Sequence, residues 1–127
     1  MATASREFQV MAKPIGSACN LDCSYCYYLE KKDLYPKRQS FRMADDLLES
    51  YLIQHIEACP TEVIFFSWHG GEATLLGLDY FRRIVEIQRE HKPIGRKILN
   101  GIQTNGTLLN DDWCKFVGLG SNGRYLW

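Results

Sequence analysis

The sequence predicts an α/β fold in which about three parallel strands alternate with two to three helices. Short apolar segments bounded by turn residues alternate with longer segments whose apolar residues recur at helical spacing. The chain of 127 residues is long enough for one domain and shows no internal repeat or low-complexity segment. Such alternation is typical of right-handed βαβ units, which occur in doubly wound sheets and in (β/α) barrels.

The first half of the chain contains two predicted strands and one helix. Residues 8–14 form a short apolar strand that leads directly into a group of cysteines. Residues 44–59 predict a helix that ends before Pro60. Its apolar positions at helical spacing are Leu47, Leu48, Tyr51, Leu52 and Ile56. Residues 62–68 (EVIFFSW) are almost continuously apolar, which is typical of a parallel strand covered on both faces.

The second half of the chain continues the same pattern. Residues 78–91 predict a second helix. One side of this helix is formed by Leu78, Phe81, Ile84, Val85 and Gln88. Residues 97–106 predict a third strand that ends in an Asn-Gly turn. Residues 110–116 predict the first turns of a third helix, with Asn110 as its N-cap.

Three unusual motifs follow the three predicted strands. The cysteines come after the first strand, HGGE (residues 69–72) after the second and QTNG (residues 103–106) after the third. In both candidate architectures the chemistry takes place at the carboxyl ends of the strands. We therefore expect these motifs to form one site.

Composition excludes several classes of function. Fifteen basic and fifteen acidic residues give a net charge of zero, which favours neither nucleic acid nor an anionic membrane as a partner. No apolar run approaches the roughly 20 residues of a membrane-spanning helix. The first 14 residues lack the apolar core of a signal peptide. We therefore predict a cytoplasmic, reducing location, where five cysteines are better suited to be free thiols or metal ligands than disulfides.

Three cysteines lie within eight residues, at Cys19, Cys23 and Cys26. Thiolates are soft ligands suited to zinc and to iron–sulfur clusters. Four cysteines would close the coordination of such a centre, whereas three leave one metal position open for catalysis.

Two alternatives to a catalytic cluster remain open. The three cysteines could be buried structural residues, or they could form a zinc site completed by His69 or Cys59. Cys59 and Cys114 are isolated in the sequence, and for them we predict ordinary packing.

The C-x3-C-x2-C spacing, with Tyr25 before the last cysteine, resembles the signature of the radical S-adenosylmethionine (SAM) enzymes. Within these enzymes, residues 12–32, 68–81 and 102–116 resemble the anaerobic sulfatase-maturating enzymes. The resemblance extends over residues 8–116. It implies a partial (β/α)6 TIM-like barrel of six strands, of which this chain would supply the N-terminal half.

The resemblance also implies a role for each residue of the first motif. Cys19, Cys23 and Cys26 would bind a [4Fe–4S] cluster, and the amino and carboxylate groups of SAM would hold its fourth iron. Tyr25 would lie beside the cluster or the adenine, and Tyr28 would contact SAM. Reductive cleavage of SAM would then generate a 5′-deoxyadenosyl radical that abstracts hydrogen from the substrate.

The second and third motifs have physical properties that suit a SAM site. Gly70 and Gly71 allow the backbone to approach a ligand closely, and Glu72 can accept hydrogen bonds from an ammonium group. The resemblance implies that this segment holds the amino group of SAM. Gln103 and Asn105 would share one face of an extended strand and border the cavity for SAM and substrate.

The function implied by the resemblance is the oxidation of a cysteine or serine of a sulfatase to Cα-formylglycine without oxygen. The partners would be a sulfatase or other peptide substrate and a reducing electron donor such as flavodoxin or ferredoxin. The alternatives are a non-catalytic metal- or cluster-binding fragment and a radical SAM maturase of another peptide.

The chain departs from this family after residue 116. Residues 117–127 are glycine-rich, without a helical period, and we interpret residues 1–127 as a truncated radical SAM core whose motifs lie within residues 8–116. No catalytic residue is therefore assigned. In a half barrel, the interior face of residues 62–68 would lack its facing strands and be exposed.

Overall fold

The structure, a computed structural model, describes residues 3–27, 29–34, 40–120 and 125–126. Its strands are β1 (Met11–Ala12), β2 (Val63–Trp68), β3 (Lys97–Ile102) and β4 (Tyr125–Leu126). Its helices are α1 (Asp45–Ala58), α2 (Leu78–His91) and α3 (Asp111–Gly120), with short 3-10 segments at Leu29–Leu34 and Ala73–Leu76. This arrangement confirms the predicted α/β fold with parallel strands and three helices.

The strands form one sheet in the order β1-β2-β3-β4, and every neighbouring pair is parallel. The register pairs Ala12 with Trp68 and Trp68 with Ile102. The last residues of β1, β2 and β3 therefore lie side by side. Because parallel strands have the same direction, the segments that follow them leave the sheet at one edge.

The two faces of β2 have different environments because successive side chains point to opposite faces. Ile64, Phe66 and Trp68 are fully buried in the core that the sheet forms with the helices. Val63 and Phe65 point to the other face and are each 38 % exposed. The face with Val63 and Phe65 is the apolar face of residues 62–68 that we expected to be exposed.

A buried polar network connects β2, β3 and α2. Trp68 Nε1 donates to Asn100 Oδ1 at 3.0 Å, and Gln88 exchanges two hydrogen bonds of 2.9 Å with the Asn100 amide. These side chains are buried, so their hydrogen bonds satisfy groups that have no access to water. The network explains why a glutamine lies on the apolar side of α2.

Two strands are shorter than the sequence predicted. Only Met11–Ala12 pairs with β2, because the chain turns immediately afterwards and Gly16 N donates to Lys13 O at 2.9 Å. β3 ends at Ile102, since the main chain of Asn105 instead donates to the Glu72 carboxylate. The third predicted strand therefore ends before the QTNG motif.

The expectation that the chain lacks helical structure after residue 116 was wrong for residues 117–120. α3 continues to Gly120. The predicted N-cap is confirmed, since Asn110 Oδ1 accepts a hydrogen bond of 3.1 Å from Trp113 N. Trp113 is buried against Phe81, with ring centroids 5.3 Å apart. Packing of this kind stabilises a helix more than the local propensity of its residues does.

Candidate functional site

A cavity of about 510 Å³ lies at the carboxyl ends of β1, β2 and β3. Residues from all three predicted motifs line it. They include Cys19, Cys23, Tyr25, Cys26, His69, Gly70, Gly71, Glu72, Gln103, Thr104 and Asn105. The geometry of the sheet thus brings residues of the three motifs together around one cavity.

Residues 13–27, here called the cysteine segment, form one wall of the cavity. Cys19, Cys23 and Cys26 are free, half-buried and line the cavity. Cys26 N donates to Cys23 O at 3.1 Å, which closes a turn between the second and third cysteines. Cys19 Sγ accepts a hydrogen bond of 3.4 Å from Leu21 N.

Within the described residues, no group of three or more His, Cys, Asp or Glu side chains is arranged to hold a single metal ion. In a [4Fe–4S] cluster each thiolate binds a different iron, so the three sulfurs need not meet at one ion. Three soft ligands on the wall of one cavity fit a cluster that takes three of its ligands from cysteine.

His69 and Cys59, the residues considered for completing a zinc site, have other partners, and the isolated Cys114 lies on α3. His69 Nε2 is 2.6 Å from Ser67 Oγ. Cys59 lies at the end of α1 and is buried in the hydrophobic core, which confirms the prediction that it packs. Cys114 is exposed on α3, so the prediction of ordinary packing was wrong for this residue.

The two glycines of HGGE allow β2 and the cysteine segment to approach each other. Gly71 N donates to Gly16 O at 2.8 Å, and Glu72 N donates to Ala18 O at 2.7 Å. A Cβ on Gly71 would collide with the carbonyl oxygens of Ser17 and Ala18. The sequence predicted that the main chain of these glycines closely approaches a ligand. The structure shows that it also packs against the main chain of Ser17 and Ala18, a contact that no local sequence pattern predicts.

Glu72 is fully buried beneath the cavity. Its Oε2 accepts hydrogen bonds from Thr74 N at 3.0 Å, from the Thr74 hydroxyl and from Thr104 Oγ1 at 2.7 Å. Its Oε1 accepts one from Asn105 N at 2.6 Å. Burial raises the pKa of Glu72, but these hydrogen bonds to the ionised form outweigh burial and hold the pKa below its usual range.

The Glu72 carboxylate therefore places a negative charge beneath the cavity at neutral pH. A carboxylate has about four acceptor positions, and four donors from the protein already bind this one. It joins the segment after β2 to the segment after β3. Sequence reasoning selected Glu72 as a ligand-binding residue but missed Thr74 and Thr104, which bind the same carboxylate.

Asn105 connects the segment after β3 to the cysteine segment. Its Nδ2 donates to Asn20 Oδ1 at 3.0 Å and lies 3.8 Å from Cys19 Sγ. Gln103 and Thr104 also line the cavity. Because β3 ends at Ile102, the alternation of a strand does not extend to these residues.

Tyr25 and Tyr27 lie at the rim of the cavity. Tyr25 and Tyr27 are 87 % and 82 % exposed. A hydrogen bond with Cys23 raises the pKa of Tyr25. Tyr28 lies outside the described residues, so its predicted contact with SAM stays a prediction.

Three thiols, a glycine-rich edge and a buried carboxylate around one cavity are the features expected of a SAM- and cluster-binding enzyme domain. The sequence model of the Radical SAM superfamily matches residues 14–120. The chain belongs to this superfamily.

The relatives identify the part of the superfamily that the chain resembles. It is 44 % identical over 112 residues to the serine-type anaerobic sulfatase-maturating enzyme of Bacteroides thetaiotaomicron, covering 88 % of this chain and 27 % of that enzyme. It is 38 % identical over 108 residues to the cysteine-type enzyme of Clostridium perfringens, covering 85 % of this chain and 29 % of that enzyme. These matches confirm the resemblance to anaerobic sulfatase-maturating enzymes.

A solved structure has the same fold over nearly all of this chain. It is described as native anSMEcpe with bound AdoMet and Cp18Cys peptide, and it matches with a TM-score of 0.75 and 35 % identity. The match covers 94 % of this chain and 30 % of the other. The chain thus spans about a third or less of the length of these relatives. No helix among the described residues is long and apolar enough to cross a membrane.

Proposed function

We propose that this chain forms the cluster- and SAM-binding part of an enzyme that oxidises a cysteine or serine of a sulfatase to Cα-formylglycine without oxygen. The observation that carries the proposal is the single cavity at the carboxyl ends of three parallel strands, where all three motifs meet. The membership of the superfamily and the names of the relatives support the same reaction class.

The three thiolates would provide the cluster ligands on one wall of the cavity. Cys19, Cys23 and Cys26 would hold a [4Fe–4S] cluster and leave one iron without a protein ligand. When cluster and SAM are both bound, they supply the reductive cleavage of the sulfonium group. The protein positions the cofactors and limits the access of water.

The segment after β2 would orient SAM. Gly70 and Gly71 line the cavity, and their main chain would contact the amino group of SAM. Glu72 would attract that positively charged group with its buried negative charge, while its hydrogen bonds keep the segment rigid. Tyr25, at the rim, would lie beside the cluster or the adenine, and Tyr28 would contact SAM.

The substrate is proposed by analogy with the relatives, and the electron donor from the need of a radical SAM cluster for an external reductant. The names of those enzymes include both serine and cysteine types, and the solved structure contains a peptide. A sulfatase peptide would therefore approach the open side of the cavity. A reducing donor such as flavodoxin or ferredoxin would reduce the cluster in the cytoplasm, the predicted location.

Anaerobic reconstitution with iron and sulfide tests the first step. The chain should bind about four iron and four sulfide ions and show cluster absorption. Cys23→Ala should lose this cluster, whereas Cys114→Ala should retain it, because Cys114 is exposed on α3. Uptake of zinc without sulfide would contradict the proposal and favour a non-catalytic metal-binding role.

The second step is tested by adding SAM to the reduced cluster. SAM should change the EPR spectrum of the cluster, and 5′-deoxyadenosine should form under reducing conditions. The same measurement on Cys23→Ala provides the control. A cluster that assembles but whose spectrum does not respond to SAM would contradict the assignment of the cavity as a SAM site.

A further inference from the structure

Asn105 lies where the segment after β3 meets the cysteine segment. Its side-chain amide donates to Asn20 Oδ1 and lies 3.8 Å from Cys19 Sγ, a distance suited to an N–H···S hydrogen bond. Cys19 also accepts a hydrogen bond from Leu21 N at 3.4 Å. The Cys19 sulfur thus faces two N–H donors, one from the main chain and one from a side chain.

The orientation of the Asn105 amide is determined by its other partners. Its Oδ1 accepts hydrogen bonds from Thr107 N at 3.0 Å and from Thr107 Oγ1 at 2.8 Å. Thr107 Oγ1 in turn accepts from Asn20 Nδ2 at 2.8 Å. Because two donors bind the amide oxygen, the amide nitrogen is the atom directed towards Cys19.

The main chain of Asn105 is also held in place. Its N–H donates to Glu72 Oε1 at 2.6 Å, and the adjacent Thr104 hydroxyl donates to Glu72 Oε2 at 2.7 Å. Glu72 is fully buried, and hydrogen bonds to a buried carboxylate are strong. Glu72 therefore anchors the segment that presents the amide to the thiol.

We propose that Asn105 is a positioning residue that donates a hydrogen bond to the Cys19 thiolate and thereby raises the reduction potential of the cluster. The inference rests on the proposed function, because it assumes that Cys19 binds the cluster. Reduction adds negative charge, part of which resides on the thiolate sulfurs. A donor to sulfur stabilises that charge and favours the reduced state.

The test is an EPR-monitored redox titration of the reconstituted chain without SAM. Asn105→Leu is similar in size but has no donor. We expect it to lower the equilibrium constant for reduction by up to about tenfold, which corresponds to ~59 mV for a one-electron couple. An unchanged potential in a variant that contains a full cluster would overturn the inference.

Thr107→Val is the matched control. It removes the hydroxyl that binds Asn105 Oδ1, but the Thr107 N–H still binds that oxygen, so the amide nitrogen remains directed towards Cys19. Its potential should remain that of the unmodified chain. If Thr107→Val shifts the potential as far as Asn105→Leu does, the position of the segment sets the potential, and the inference is wrong.

Pulsed EPR of the unmodified chain tests the hydrogen bond even if the variants do not assemble a cluster. Chain labelled with side-chain ¹⁵N-asparagine is reduced and studied by pulsed EPR. A ¹⁵N hyperfine coupling that disappears in Asn105→Asp, or in Asn105→Leu, supports the hydrogen bond. Absence of any such coupling in the unmodified chain overturns it. Failure of the unmodified chain to form a cluster would instead contradict the proposed function.

Discussion

Gly71→Ala tests whether the glycines of HGGE allow the cysteine segment to pack against the segment that follows β2. The new Cβ would lie 2.5 Å from the Ala18 carbonyl carbon, whereas ordinary contacts begin at 3.4 Å. Because the carbonyl oxygens of Ser17 and Ala18 lie closer still, the main chain of the cysteine segment would have to retreat by about 1 Å or more. Overpacking of this kind costs about 1–3 kcal/mol.

The retreat would also weaken two hydrogen bonds, from Gly71 N to Gly16 O and from Glu72 N to Ala18 O. Each contributes about 1 kcal/mol, so the free energy of unfolding should fall by roughly 3–5 kcal/mol in total. Urea denaturation followed by tryptophan fluorescence measures this loss. Reconstitution in parallel should show reduced uptake of iron and sulfide.

Gly118→Ala is the matched control. A Cβ on Gly118 would have no atom within 4 Å, and alanine is favoured over glycine in a helix by up to about 1 kcal/mol. This variant should keep or slightly gain stability and should bind the same amount of iron. If Gly71→Ala loses less than about 1 kcal/mol and reconstitutes fully, the collision with the cysteine segment is not the reason for the glycine.

Two further predictions concern the core. Asn100→Leu leaves Trp68 Nε1 and both polar atoms of the Gln88 amide buried without partners. The free energy of unfolding, measured by urea denaturation, should therefore fall by about 3 kcal/mol or more. Adding Gln88→Leu should recover part of this loss, because it removes two of the unpaired polar atoms. Burial lowers the pKa of His55, although its hydrogen bond to Phe65 O partly opposes this effect. The unfolded chain therefore binds a proton at His55 more readily than the folded chain does. The free energy of unfolding should decrease as the pH falls from about 7 to 5. His55→Gln should flatten this pH dependence, and an equally steep profile in that variant would refute the assignment.

Local patterns in the sequence were sufficient for the elements that bury one continuous apolar surface. α2 covers Leu78–His91, as the helical period predicted, and α1 differs from its prediction by one residue at each end. The position of the three motifs at one edge also followed from the sequence. Parallel strands align their carboxyl ends, so the order of motifs along the chain was enough to bring them together.

The internal connections of the site could not be predicted in the same way. Glu72 binds the main chain of Asn105, 33 residues away, and the Asn105 amide approaches Cys19 across 86 residues. Neither pair has a spacing that marks it in the sequence. Which donor meets which acceptor depends on the register of the sheet and on the turns that follow its strands.

The sequence by itself determined the family, the parallel α/β fold and the alignment of the three motifs at one edge of the sheet, because these depend on residue type, local period and short spacing. Only the tertiary structure decided that Gly71 packs on the cysteine segment and that Glu72 is buried beneath four donors. It also decided that α3 continues through its glycines to Gly120. The physical reason is that the first two features are contacts between segments distant in the chain, and that α3 depends on the packing of Trp113 against the distant Phe81. Folding alone brings these segments together.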